Sequence, residues 1–145
     1  MLHAGLDLSR RRLDVCLIDD AGEVVEHTAA PPDADGLRHL AGRLRGQPVR
    51  AVIESMTGAR FVHDTLEEHG WEVLVADAQK VKGLAPLACK TDKIDSRVLA
   101  LLSQRELVPA IWLPARASAR SASWPAFGCT WSSTSRRSRT ASTRR

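Results

Sequence analysis

The sequence predicts an α/β domain: a mixed five-stranded sheet with helices packed on it, followed by a stretch outside the fold. Three observations carry this. The first thirty residues hold three runs of strand period joined by polar turns. Helical spacing then alternates with short buried-type strands as far as Leu102. After Pro114 the apolar periodicity stops. Tight turns between successive strands make an antiparallel meander, and helical crossovers make parallel strands, so one sheet holds both.

In the first strand Leu2, Ala4, Leu6 and Leu8 alternate with His3, Gly5, Asp7 and Ser9. Ser9-Arg10-Arg11-Arg12 is polar and turns the chain into a second strand, Leu13 to Ile18. Asp19-Asp20-Ala21-Gly22 turns it again, and Glu23 to Thr28 reads as the third. Pro31-Pro32 interrupts, and Asp33 is placed to cap a helix. Leu37, Leu40, Ala41 and Leu44 keep helical spacing until Gly46. Val49 to Glu54 is a buried-type strand. Phe61, Val62, Thr65 and Leu66 mark a helix ending at Gly70, and Glu72 to Ala76 is the fifth strand. Asp77 caps a short helix, and Ile94, Val98, Leu101 and Leu102 give the last one.

Four acids fall where a metal-assisted phosphodiester chemistry needs them. Asp7 and Glu54 lie in or end strands, and Asp92 and Asp95 are three apart at the start of a helical pattern, which puts both on one side of a turn. Gathered carboxylates repel one another, a cost accepted mainly where cations hold them. Hard oxygen donors select Mg2+ or Mn2+, and two such ions clamp the attacking and leaving oxygens of a phosphoryl transfer. Plainer readings stand beside this one. Asp92 and Asp95 also suit the capped start of a helix. Asp7 and Glu54 also suit solvated strand ends, although a carboxylate in a central strand is expensive without a partner. Arg10, Arg11 and Arg12 form a hairpin tip, and Lys80, Lys82, Lys90 and Lys93 surround the supposed site. All seven suit contacts to a DNA backbone or simple solvation. His3, His27, His39, His63 and His69 lack paired ligand spacing and read as surface or packing residues.

Gly5-Leu6-Asp7-Leu8-Ser9, Val52-Ile53-Glu54-Ser55-Met56-Thr57-Gly58 and Lys90-Thr91-Asp92-Lys93-Ile94-Asp95-Ser96, with Leu107-Val108-Pro109 after them, together resemble a known family. It is the RuvC-like, DEDD-type transposase family of insertion sequences, family one-hundred-and-ten. The element order is similar to the ribonuclease-H fold, in which acids of the first and fourth strands meet and a final helix brings more. The resemblance covers residues 1–114. It implies a DNA recombinase that needs Mg2+ (or Mn2+), with Asp7, Glu54, Asp92 and Asp95 as catalytic and metal-holding residues. It also implies DNA as partner, a guide (bridge) RNA in some members, and a homo-oligomer in the intact parent. Members carry a further domain with a nucleophilic serine, for which this chain is too short, so the expected product is truncated and inactive in transposition.

Charge separates two regions. The chain has a net charge of +4. All of that excess falls in residues 115–145, which hold seven Arg and no acid, while residues 1–114 hold 14 Lys and Arg against 17 Asp and Glu. The basic balance is therefore no argument for a nucleic-acid-binding core. The tail has no Leu, Ile, Val or Met and cannot build a core, which predicts disorder. A shifted reading frame accounts for it. In one alternative frame the first base of each printed codon becomes a middle base. Codons for Trp, Phe and Cys begin with T, and T in the middle always encodes an apolar residue. Trp124, Phe127 and Trp131 then conceal apolar residues at i, i+3 and i+7, one face of a helix. A genuine basic arm is the other account.

Cys16, Cys89 and Cys129 are scattered and odd in number, which suits a reducing cytoplasm. No apolar run approaches a membrane span, and the start of the chain does not read as a signal peptide. The competing enzyme class is a sugar-kinase or actin-like ATPase, which also opens on a strand, an Asp and a hairpin. Its hairpin wants small residues near phosphate, where this one has Arg10-Arg11-Arg12. The non-enzymatic alternative is a decayed fragment that binds DNA weakly.

Overall fold

A computed structural model describes residues 1–88 and 95–114, with only the backbone of 86–88. The chain runs β1 (Leu2–Leu8), β2 (Leu13–Ile18), β3 (Val24–Ala30), α1 (Ala34–Arg43), β4 (Val49–Glu54), α2 (Ala59–Glu67), β5 (Glu72–Ala76), α3 (Ala78–Ala88) and α4 (Ser96–Gln104). The sheet order is β3-β2-β1-β4-β5. β1, β2 and β3 pair antiparallel, while β1–β4 and β4–β5 pair parallel. This is the mixed five-stranded, ribonuclease-H-like sheet that the element order predicts.

Period-two alternation divides the core between the two faces of the sheet. Ala4, Leu6 and Leu8 of β1 join Leu13, Val15 and Leu17 of β2 and Val49, Ala51 and Ile53 of β4 under α1 and α2. On the other face Cys16, Ile18 and Val52 meet Val81 and Ala85 of α3 and Val98 to Leu102 of α4. Trp71 is buried with the first cluster. α4 is buried nearly all round: Ser96, Val98, Leu99, Ala100, Leu101, Leu102 and Ser103 are all buried. His3 is buried too and lies 2.9 Å through Nδ1 from Ser103 Oγ, which satisfies both polar groups.

Local chemistry sets the ends of these elements. Asp33 accepts the Gly36 N–H at 2.8 Å and starts α1, and Asp77 accepts from Gln79 and Lys80 to start α3. β3 runs on to Ala30, past the predicted Thr28, because β2 pairs with it down to Leu13; a bulge between Leu17 and Ile18 shifts its start. The outer edge of β5 is covered by the segment after α4, through an Ala76–Ala110 bridge and the Ile111 N–H to the Val75 carbonyl at 2.7 Å. No helix among the described residues is long and apolar enough to cross a membrane.

One contact fixes the position of α4. Gly5, mid-strand in β1, lies directly beneath that helix. A Cβ there would overlap the Ser96 carbonyl oxygen and come within 2.6 Å of the Ala100 nitrogen. Only glycine allows the helix backbone to lie on the strand so closely. The first turn of α4 is thereby held beside β1 two residues before Asp7.

Candidate active site

Asp7 and Glu54 stand at the carboxyl ends of two parallel strands that pair directly. The register sets Gly5 beside Val52 and Leu6 beside Ile53, and its next step sets Asp7 beside Glu54. Ala4, Leu6 and Leu8 face α1 and α2, so Asp7 faces the other side. Val52 packs on that other side, and Glu54, two residues on, shares it. The two acids therefore project from one face of the sheet.

Their closeness shows in the electrostatics. Burial pushes the Glu54 carboxyl above the usual carboxylate range, the Asp7 charge pushes it further, and Lys82 on α3 opposes both. Glu54 Oε1 is buried and has no hydrogen-bond partner among the described residues. A buried carboxylate oxygen without a donor is costly, and a divalent cation would supply what it lacks.

Asp7 also borders a cleft of about 420 Å³ on its other side, lined by Arg12, Asp14, His27, Thr28, Asp95 and Ser96 among others. Asp14 pairs directly with Asp7 across β1 and β2, so it shares the face. His27 follows from β3, with Nε2 3.5 Å from Cys16 Sγ. Burial pushes the Cys16 thiol up, Arg97 opposes this, and Asp95 adds to it. The protonated thiol is a poor ligand and acts as core.

Asp95 lies at this cleft through its capping role. It is the extended N-cap of α4, and its Oδ1 accepts the N–H groups of Arg97 at 3.0 Å and Val98 at 3.1 Å. The expectation that Asp92 and Asp95 share one helical turn does not hold for Asp95, since the helix starts at Ser96. Asp92, Lys90 and Lys93 lie outside the described residues. Lys80 and Lys82 are exposed on α3, and Arg10, Arg11 and Arg12 are exposed at the β1–β2 turn. Among the described residues no three His, Cys, Asp or Glu side chains gather closely enough to hold a metal ion. The all-carboxylate donor set and the partnerless Glu54 oxygen nonetheless fit a hard divalent cation between Asp7 and Glu54.

Sequence reasoning missed Asp14. It interrupts an apolar run and looks like an ordinary half-exposed strand position. The hairpin register, which sets it opposite Asp7, was the signal that could have found it.

The sequence profile of the DEDD transposase family, described as "Transposase", matches residues 4–117. The chain belongs to this transposase family. Membership separates it from the sugar-kinase and actin-like ATPases. Among solved structures, the chain is similar to T. thermophilus RuvC in complex with Holliday junction substrate, at 13% identity and a TM-score of 0.44, covering 81% of this chain and 85% of that one. None of the curated proteins compared with the chain matches it.

Proposed function

We propose that residues 1–114 are the catalytic domain of a transposase that acts on DNA phosphodiesters with Mg2+ or Mn2+. The observation that carries this is the Asp7–Glu54 pair: two acids on one sheet face, with a buried Glu54 oxygen that has no donor among the described residues. Asp7 and Glu54 would hold the cation, with Asp95 from the start of α4 and Asp92 completing the set. The bound ion would supply Lewis-acid stabilisation of phosphoryl oxygens and a water made acidic enough to attack. The protein's own part is to fix Asp7, Glu54 and Asp95 on β1, β4 and the start of α4, whose packing leaves them little freedom. Arg10, Arg11 and Arg12, with Lys80, Lys82, Lys90 and Lys93, would meet the DNA backbone. An RNA guide and a second subunit are further partners that membership in the family suggests.

The tail fits the same reading. The family match ends at residue 117, where the Arg- and Ser-rich composition begins. This supports an out-of-frame tail after about Pro114, and the nucleotide sequence across Leu113 tests it.

The function is tested by incubating the full chain with supercoiled DNA and Mg2+ or Mn2+. Nicking that needs the metal and is lost in Asp7→Asn and Glu54→Gln is the expected result. Nicking that persists in either variant, or none from the wild-type chain, contradicts the proposal; joined strands are not expected, because we infer that this truncated chain is inactive in transposition.

A further inference from the structure

We propose that Arg12 and Asp14 form a phosphate-positioning pair: Asp14 holds the Arg12 guanidinium at the cleft beside Asp7, where Arg12 meets a non-bridging oxygen of the bound DNA strand. The inference rests on the reading of that cleft as the place where a DNA phosphodiester is bound.

The hairpin turn separates Arg12 from its two neighbours. Ser9 donates its backbone N–H to the Arg12 carbonyl at 2.8 Å and its hydroxyl to the same oxygen at 2.7 Å. The Arg12 N–H returns to Ser9 Oγ at 3.2 Å. These bonds close the turn over Arg10 and Arg11, which leaves those two at the tip and sends Arg12 back along β2. Arg12 Nε then donates to Asp14 Oδ1 at 2.6 Å, and its terminal NH2 group reaches the same oxygen. Both contacts use one edge of a guanidinium that carries five donors, so the rest stay available to a phosphate.

Charge gives the pair its purpose. Asp7, Asp14 and Asp95 all line the cleft, and Arg12 is the only Arg or Lys that does so among the described residues. A phosphate entering there meets like charges unless a cation leads it in. Arg12 is exposed, at 64%, and Asp14 is half-exposed, at 39%. Such a pair adds little to folding stability, so its effect belongs to what it holds in place.

The sign of one effect decides the matter. An acid that merely lies beside a DNA path repels it, and its removal tightens binding. A positioning acid, when removed, loosens binding. The test measures the affinity of the full chain for a fluorescent duplex with and without Mg2+, and takes the gain on adding Mg2+ as the readout. The two conditions are matched in ionic strength with Na+, so that screening of basic residues elsewhere does not enter that ratio. Arg12→Ala should reduce the gain by about tenfold, and Arg12→Lys should not restore it, because an ammonium lacks the planar fork. Asp14→Ala should also reduce the gain, with Asp14→Asn, which keeps an acceptor for Arg12, in between. Urea midpoints near wild type show that the variants fold. A gain that is unchanged in Arg12→Ala, or unchanged or larger in Asp14→Ala, overturns the proposal. Asp7→Asn separates the role of the pair from that of the cleft. If it abolishes the gain while the Arg12 and Asp14 variants keep it, the cleft reading stands and the pair is wrong. If Asp7→Asn leaves the gain intact, or the wild-type chain shows none, the cleft reading fails and takes the pair with it.

Discussion

Replacing Gly5 by Ala should cost several kcal/mol, out of proportion to one methyl group. The added Cβ would lie on the Ser96 carbonyl oxygen and 2.6 Å from the Ala100 nitrogen, both backbone atoms of α4 that no side-chain rotation can move. The Ser96 oxygen would lie 1.6 Å from the added Cβ, so restoring even 3.0 Å takes about 1.4 Å of displacement, and a gap of that size forfeits at least a quarter of each dispersion contact. Val98, Leu99, Leu101 and Leu102 are buried on α4, and each contributes about 1.5–3 kcal/mol by burial. Losing about a quarter of that sum gives roughly 2 kcal/mol, and residual strain of about 1 kcal/mol brings the total near 3. With a urea slope of about 1–3 kcal/mol/M, the midpoint should fall by roughly 1–3 M. Gly42 is the control. It lies in α1 with nothing within 4 Å of the position its Cβ would take, so Gly42→Ala should stabilise by about 0.5–1 kcal/mol. If Gly5→Ala unfolds at the wild-type midpoint or above, the seating of α4 on β1 is wrong, and with it the placement of Asp95 beside Asp7.

Three further outcomes follow. Burial and the Asp7 charge raise the Glu54 carboxyl in the folded state. The unfolded chain therefore ionises first as pH rises through the carboxylate range, and stability falls until pH passes the raised folded value. Glu54→Gln should remove that decline in urea titrations across acidic pH, and a Glu54→Gln profile that parallels wild type would count against the buried charge. At Asp95 two roles can be separated: Asp95→Ala should lose about 1 kcal/mol of helix capping, while Asp95→Asn should keep the cap and still lose metal-dependent nicking. Equal stability of the Ala and Asn variants would show that the cap contributes nothing. Deleting residues 115–145 should weaken metal-independent DNA binding and flatten its salt dependence, because their seven arginines neutralise phosphates beyond those met by the core. Unchanged binding in a salt titration would place it elsewhere.

Much of the sheet was legible because alternation survives in the sequence. β2, β4 and β5 have the predicted bounds, each an apolar run closed by Asp, Pro or Gly. The placing of Asp7 and Glu54 on one face then needed only the parallel pairing of β1 with β4. What could not be read was contact between distant segments. Gly5 is visible in the sequence, yet nothing local says that a helix ninety residues later rests on it. Asp14 looked like a solvated strand residue because its meaning depends on which residue of β1 it faces. Asp95 carried two local signals, ligand and cap. The structure shows the cap, made by two backbone N–H groups, which also explains why the helix begins one residue after it.

Asp7 and Glu54 are the residues that would hold the divalent cation. Titrating the full chain with Mn2+ while following the free ion by electron paramagnetic resonance measures this without any DNA or activity. Saturable binding that is lost in both Asp7→Asn and Glu54→Gln, and displaced by excess Mg2+, is the predicted result. Wild-type affinity retained by either variant, or no saturable binding to the wild-type chain, would contradict it.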